Sequence, residues 1–186
     1  AAVTALEWNI GRAEQDQLAF NSHKNMAAAY DRGFFNDLVT PYQGLSRDNN
    51  MRKDITLEKL ATLKTCFGKG EGATMTAANS TPLTDGASVV LLASEEWAKE
   101  RGLPVLAYLT FSEVAAVDFV HKKEGLLMAP AYAVPRMLDR AGIKLQDFDF
   151  YEIHEAFAAQ VLSTLKAWED PKFCKESKKK KKDTTE

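Results

Sequence analysis

Phe148-Asp149-Phe150-Tyr151-Glu152-Ile153-His154-Glu155-Ala156-Phe157-Ala158-Ala159-Gln160 is the stretch whose reading decides the fold. Its first half holds Phe148, Phe150, Tyr151 and Ile153, the aromatic and β-branched residues that suit a strand. After Glu155 the apolar residues Phe157, Val161, Leu165 and Trp168 recur at helical spacing. The stretch therefore predicts a short buried strand running directly into an amphipathic helix. His154 falls at the join, and Glu155 follows in the first turn, where a carboxylate favours the helix dipole. In an open α/β sheet, side chains at such strand ends face the ligand crevice. His154 is thus a candidate catalytic residue; the same position also suits a hydrogen-bonded structural histidine.

Upstream of this stretch, strands and helices alternate. Gly86–Ala93, rich in Val and Leu, is apolar on both faces and predicts a central, covered strand. Glu95–Arg101 predicts a short helix closed by Gly102, and Val105–Leu109 a further strand. Ala131–Ala141 predicts a helix packing Val134, Leu138 and Ala141 inward and ending at Gly142. Pro135 fits such a helix only in or near its first turn. The alternation from Ala87 to Trp168 predicts an α/β architecture with a partly parallel sheet.

The first third of the chain reads differently. A helix from Arg12 to Asp31 carries Ala19, His23, Met26, Ala27 and Tyr30 on one face and ends at Arg32-Gly33. His23 on that stripe reads as a packed, hydrogen-bonded residue. Residues 34–55 are polar and turn-rich, and Thr56 caps a short helix of residues 56–64 with Leu57, Leu60 and Ala61 on its buried side. Gly68-Lys69-Gly70-Glu71-Gly72 lacks the Lys-Ser/Thr ending of a phosphate loop and reads as a turn. Thr74–Ala78 is extended, and in Asn79-Ser80-Thr81 small polar side chains let a ligand approach the backbone closely.

Composition narrows the function classes. Of 186 residues, 45% are hydrophobic and 27% charged, an ordinary globular balance. The longest apolar run, Ala87–Ala93, is far short of the roughly 20 residues of a membrane span, and no secretory signal opens the chain. Cys66 and Cys174 stand far apart without metal-ligand spacing, which favours a reducing compartment over secretion. A net charge of −2 argues against nucleic acid as the main partner. The Lys178–Lys182 run sits in a tail, residues 175–186, expected to be disordered by self-repulsion.

Two segments resemble a known family. His154-Glu155-Ala156-Phe157 resembles the "HEAF" signature of thiolases, in the form similar to the β-subunit of fatty-acid trifunctional enzymes. Most other thiolases carry Asn at the His154 position. Thr74 to Ala87 resembles the family's "T-x-T-A-G-N-S-x-x-x-x-D-G-A" segment, with Ala78 where Gly is usual. The two motifs stand in the family's order, and the resemblance covers residues 1–174, the middle of a complete thiolase.

The resemblance implies a partial, layered thiolase-like α/β fold: a loop region over coenzyme A in residues 1–78, then the first part of the C-terminal catalytic half in residues 79–174. It implies acetyl-CoA C-acyltransfer in fatty-acid β-oxidation or a related pathway, with acyl-CoA as substrate, no tightly bound cofactor and no metal. His154 would polarise the thioester oxygen, and Glu155 would tether the helix start. Arg52 would approach the adenine and phosphates of coenzyme A, a role open beside that of a solvated surface arginine. Ala77 and Thr81 would line the pantetheine tunnel, and Phe157 would wall the acyl pocket. Gly125-Leu126-Leu127-Met128-Ala129-Pro130 resembles the family's "M-G-x-G-P" loop, so Leu126 and Met128 would border the same pocket, with Leu127 and Ala129 replacing its glycines.

Neither Cys66, in Leu-Lys-Thr-Cys-Phe-Gly, nor Cys174 matches the context of the family's nucleophile or its second cysteine, and the "G-H-P" and "C-x-G" motifs expected after Trp168 are missing. The expectation is a truncated piece, inactive alone, whose complete protein self-associates in the cytoplasm, or in mitochondria or peroxisomes if eukaryotic. A non-catalytic acyl-CoA-binding or interaction module built on the same fold is the alternative.

Overall fold

The computed structural model describes residues 1–179. Its elements, in chain order, are α1 (Ala2–Glu7), α2 (Arg12–Asp31), α3 (Leu57–Ala61), β1 (Thr65–Phe67), β2 (Met75–Thr76), α4 (Glu95–Glu100), α5 (Ala129–Ala141), a 3-10 turn (Leu145–Asp147), α6 (Ala158–Glu169) and α7 (Pro171–Lys179). The chain is mixed α/β, and β1 and β2 pair antiparallel, with Thr65 opposite Thr76 and an irregularity before Phe67.

The helices follow their caps. The Gly11 N–H donates to Glu14 Oε1 at 2.6 Å and starts α2. The Thr56 hydroxyl accepts from the Lys59 N–H and Ser94 Oγ from the Trp97 N–H, starting α3 and α4. Gly142, left-handed at φ 70°, closes α5. Gly125 is also left-handed, and a β-carbon there would meet Met128 Cγ at 2.8 Å, so only glycine fits the turn into α5.

Pro135 lies inside α5 rather than in its first turn. It cannot donate to the Ala131 carbonyl one turn back. The indole N–H of Trp168 takes that place, donating to Ala131 O at 3.3 Å from α6. The proline is accommodated because a neighbouring helix satisfies the carbonyl it frees.

Two apolar clusters form the core. Ala5, Ile10, Met75 and Ala159 make one, with Trp8, Phe157 and Leu162 against it; Met128, Ala131 and Ala167 make the other, with Trp8, Tyr132 and Phe173. Trp8 belongs to both. Its ring meets Phe173 edge-on with centroids 5.6 Å apart, which docks α7 onto α1. The tail expected to be disordered from residue 175 is therefore helical through Lys179, with Ser177 buried. The cause is Phe173, which anchors the helix before the lysine run begins. The rest of that run, Lys180–Lys182, lies outside the described residues.

Three expected strands are absent. Residues 86–93, 105–109 and 148–153 are extended or irregular and pair with no other segment among the described residues. Val89, Val90, Leu91 and Leu92 are 73–94% exposed, so this segment is not a covered strand here. A strand is stable only through its neighbours' backbone groups, and none of these three stretches finds one.

A buried polar network fixes α2. Asp16 receives Arg12 Nε at 2.7 Å on one oxygen and Asn79 Nδ2 at 3.0 Å on the other. The Arg12 guanidinium also donates to the carbonyls of Leu60 and Leu63, holding the end of α3. Replacing Asp16 by Ala leaves the half-buried Arg12 Nε–H and a buried Asn79 amide N–H without that acceptor. The expected cost is about 2–3 kcal/mol of stability, read as a shifted urea midpoint; Asp16→Asn, which keeps one acceptor, should lose less.

Candidate functional site

The site is built on the turn that follows β2. Thr76 Oγ1 accepts from the N–H groups of Ala78 and Asn79, and Asn79 Oδ1 accepts from the Thr76 N–H at 2.8 Å. Asn79 Nδ2 reaches Asp16 and the Thr74 carbonyl. The turn is thus locked by its own polar side chains and by α2.

Its far side clasps the segment that carries His154. Ala158 N–H donates to Asn79 O at 3.1 Å, and Thr81 N–H donates to Ala156 O at 2.8 Å, with Ser80 bridging antiparallel to Phe157. The two stretches singled out from sequence therefore meet through their backbones. Phe157, half-buried, stands edge-on to Phe67 with centroids 5.9 Å apart. His154 is exposed, and its ring has no hydrogen-bond partner among the described residues. Glu155 does have one: the Ser22 hydroxyl of α2 donates to Glu155 Oε2 at 2.5 Å. The carboxylate is tied across to another helix rather than to the start of its own.

A groove of about 220 Å³ opens beneath Glu155. Leu18, Ser22, His23 and Met26 of α2 form one wall, the Asp48–Met51 turn another, and Ala78–Pro82 the floor. His23 Nδ1 accepts the backbone N–H of Arg52 at 3.2 Å, which leaves the neutral ring's proton on Nε2. Burial, and next the Arg52 guanidinium, hold the His23 pKa below the ordinary imidazole value; Asp48 and Glu155 act against them. His23 is packed and hydrogen-bonded, and it is also a wall of the groove.

The other sequence-derived candidates are dispersed. Thr81 lines the groove, while Ala77, four residues before it, is exposed. Arg52 is exposed and its guanidinium donates to the Asn49 carbonyl at 2.8 Å. Leu126 is exposed, but Met128 is fully buried against Ala131 and Ala167, so the structure does not bring these two together at one surface. Cys66 is exposed on β1, and Cys174 Sγ contacts the carbonyls of Ala167 and Trp168. Neither cysteine lines the groove. Sequence reasoning passed over Ser22, Ser80 and Asp48; the one available signal was Asn79-Ser80-Thr81, read only as a close-approach segment.

Comparison with known proteins gives a consistent answer. The family "Thiolase, N-terminal domain" matches residues 1–96, and "Thiolase, C-terminal domain" matches residues 103–175. A 3-ketoacyl-CoA thiolase of Yersinia enterocolitica is 43% identical over 178 residues, covering 92% of this chain and 40% of that protein. The crystal structure of human mitochondrial 3-ketoacyl-CoA thiolase in complex with CoA superposes with a TM-score of 0.81 at 32% identity, over 91% of this chain and 42% of that one. The dimeric peroxisomal thiolase of Saccharomyces cerevisiae gives 0.75 at 33% identity, over 87% and 41%. The chain thus spans about 40% of the length of the curated relatives it matches.

The His23 environment yields a signed pH dependence. With its native pKa depressed, the ring stays neutral in the folded chain while the unfolded chain takes up a proton. Stability from this residue is therefore lost as pH falls below the ordinary value of about 6.5. Between pH 7.5 and 5.5 the wild-type melting temperature should drop further than that of His23→Gln, which keeps an acceptor for the Arg52 N–H. Parallel melting curves of the two proteins measure the difference.

Proposed function

This chain belongs to the thiolase family, and from that premise we propose that it forms the acyl-CoA-binding part of an acetyl-CoA C-acyltransferase acting on 3-ketoacyl-CoA. The observation that carries the reading is the clasp between Asn79-Ser80-Thr81 and Ala156-Phe157-Ala158. It joins the two segments that resemble thiolase motifs, with His154 at one edge. Residues 1–78 cover coenzyme A, and residues 79–174 begin the catalytic half.

In this reading the Arg52 guanidinium, free of any ion pair among the described residues, meets phosphate oxygens of coenzyme A. Ala77 and Thr81 border the pantetheine arm. Phe157, braced by Phe67, walls the acyl chain, and the exposed Leu126 borders it; the buried Met128 has no place on that surface. His154, with both ring nitrogens free of partners among the described residues, donates to the thioester oxygen where negative charge develops. Neither Cys66 nor Cys174 supplies the attacking thiolate, because neither stands in a sequence context like that of the family's cysteines. The complete protein works as a soluble homo-oligomer. The dimeric relative from Saccharomyces cerevisiae supports that expectation.

Calorimetric titration with coenzyme A tests the binding half. Arg52→Ala should weaken binding about tenfold, the loss of one charge-assisted contact. The chain by itself should not cleave acetoacetyl-CoA; turnover abolished by Cys66→Ala or Cys174→Ala would overturn the assignment of the nucleophile.

In an enzyme completed by the rest of a thiolase, His154→Ala should lower kcat roughly a hundred- to a thousand-fold. KM should change far less, because the contact strengthens mainly in the transition state. His154→Asn should keep more activity, since the amide also donates. Unchanged kcat in His154→Ala would reduce His154 to a structural residue.

A further inference from the structure

The groove beneath Glu155 carries chemistry that the acyl-CoA reading leaves unused. Two carboxylates face it, Asp48 and Glu155, and each has one oxygen engaged: Asp48 Oδ1 by the Asn50 N–H at 2.7 Å, Glu155 Oε2 by the Ser22 hydroxyl. Neither forms an ion pair among the described residues. Ser80, only 9% exposed, lines the same groove, and its hydroxyl has no hydrogen-bond partner among the described residues. A buried hydroxyl left without a partner calls for an explanation, and a bound group supplies one. Leu18, Met26 and Met51 are the large apolar side chains of the walls, beside the polar Ser22, His23, Asn50, Asn79 and Thr81.

We propose that this groove binds a primary alkylammonium ion, with its methylenes along Leu18, Met26 and Met51 and its ammonium on Asp48, Glu155 and Ser80. An ammonium has three donors, and the free oxygens of those three side chains are three acceptors. At roughly 30 Å³ per water, the 220 Å³ groove has room for about seven waters, enough for a stem of roughly four carbons and its hydrated head. Apolar stem and charged tip match apolar wall and charged rim, as lysine side chains do on protein surfaces.

The charges around His23 set the condition for binding. Arg52, close enough to act on His23, opposes a cation, and against Asp48 and Glu155 it leaves one negative charge in excess. A neutral His23 adds no further repulsion; a protonated one cancels that excess.

The test is calorimetric titration of the whole chain with n-butylammonium, against n-butanol and butyrate as neutral and anionic counterparts. The ammonium should bind, and the other two at least tenfold more weakly. Asp48→Asn and Glu155→Gln should each weaken it about tenfold, with far-UV circular dichroism unchanged. Lowering the pH from 7.5 to 5.5 should weaken it in the wild type, and less so in His23→Gln. Nα-acetyl-lysine amide separates the sources: tighter binding than butylammonium assigns the groove to a lysine side chain, equal or weaker binding to a free amine. Equal affinity for butanol, or wild-type affinity in both carboxylate variants, overturns the proposal. Coenzyme A titrations are read separately, so either reading can fail alone.

Discussion

The Asp16 carboxylate is the contact on which the rest of the structure depends. It is buried, it accepts from Arg12 on its own helix and from Asn79 sixty-three residues away, and both donors have further work to do. Arg12 holds the carbonyls at the end of α3, and Asn79 orders the turn that clasps the start of α6. One ionised side chain thus aligns α2, α3, the Thr74–Pro82 turn and α6. A charge removed from water is tolerated only when its lone pairs are filled, and here both oxygens have a charged or amide donor.

From that alignment follows the meeting of segments far apart in the chain. Ser22 and Glu155 are 133 positions apart and share a hydrogen bond, and Asp48 faces the same space from a third region. The groove is therefore a property of the tertiary fold and of no single motif. It is shallow in polarity on the α2 side and acidic at its rim, with a neutral imidazole between. Glu155 of the groove lies in a segment that resembles a thiolase motif, and Asp48 reaches the same space from the turn-rich stretch of residues 34–55.

Helices α2 to α6 were legible in the sequence because their determinants are local; α1 and α7 were not read as helices. Thr56, Ser94 and Gly142 mark ends that the structure realises within a few residues. The three expected strands were not, although Val89–Leu92 and Phe148–Ile153 have strand composition. Composition selects an extended backbone; pairing needs a partner, which no local signal encodes. Pro135 misled for a related reason, since its acceptance depends on Trp168 in another helix. At the site, the Thr81 and Phe157 segments were legible from their motifs. Ser22, Asp48 and Ser80 were not, because single polar residues on a helix or turn carry no periodicity.

Trp8 has a consequence beyond packing. Its ring is shared by both apolar clusters, so neither cluster keeps its full set of neighbours once the other comes apart. The clusters contain few large side chains of their own; Ala5, Ala131, Ala159 and Ala167 are small, and the indole supplies much of the common surface. Melting of α1 therefore takes from Phe173 one of its two aromatic neighbours, Tyr132 of α5 being the other, and loosening of α7 uncovers the ring of Trp8. The helical part of the chain loses its order as one cooperative unit, with a single tryptophan as the joint between its halves.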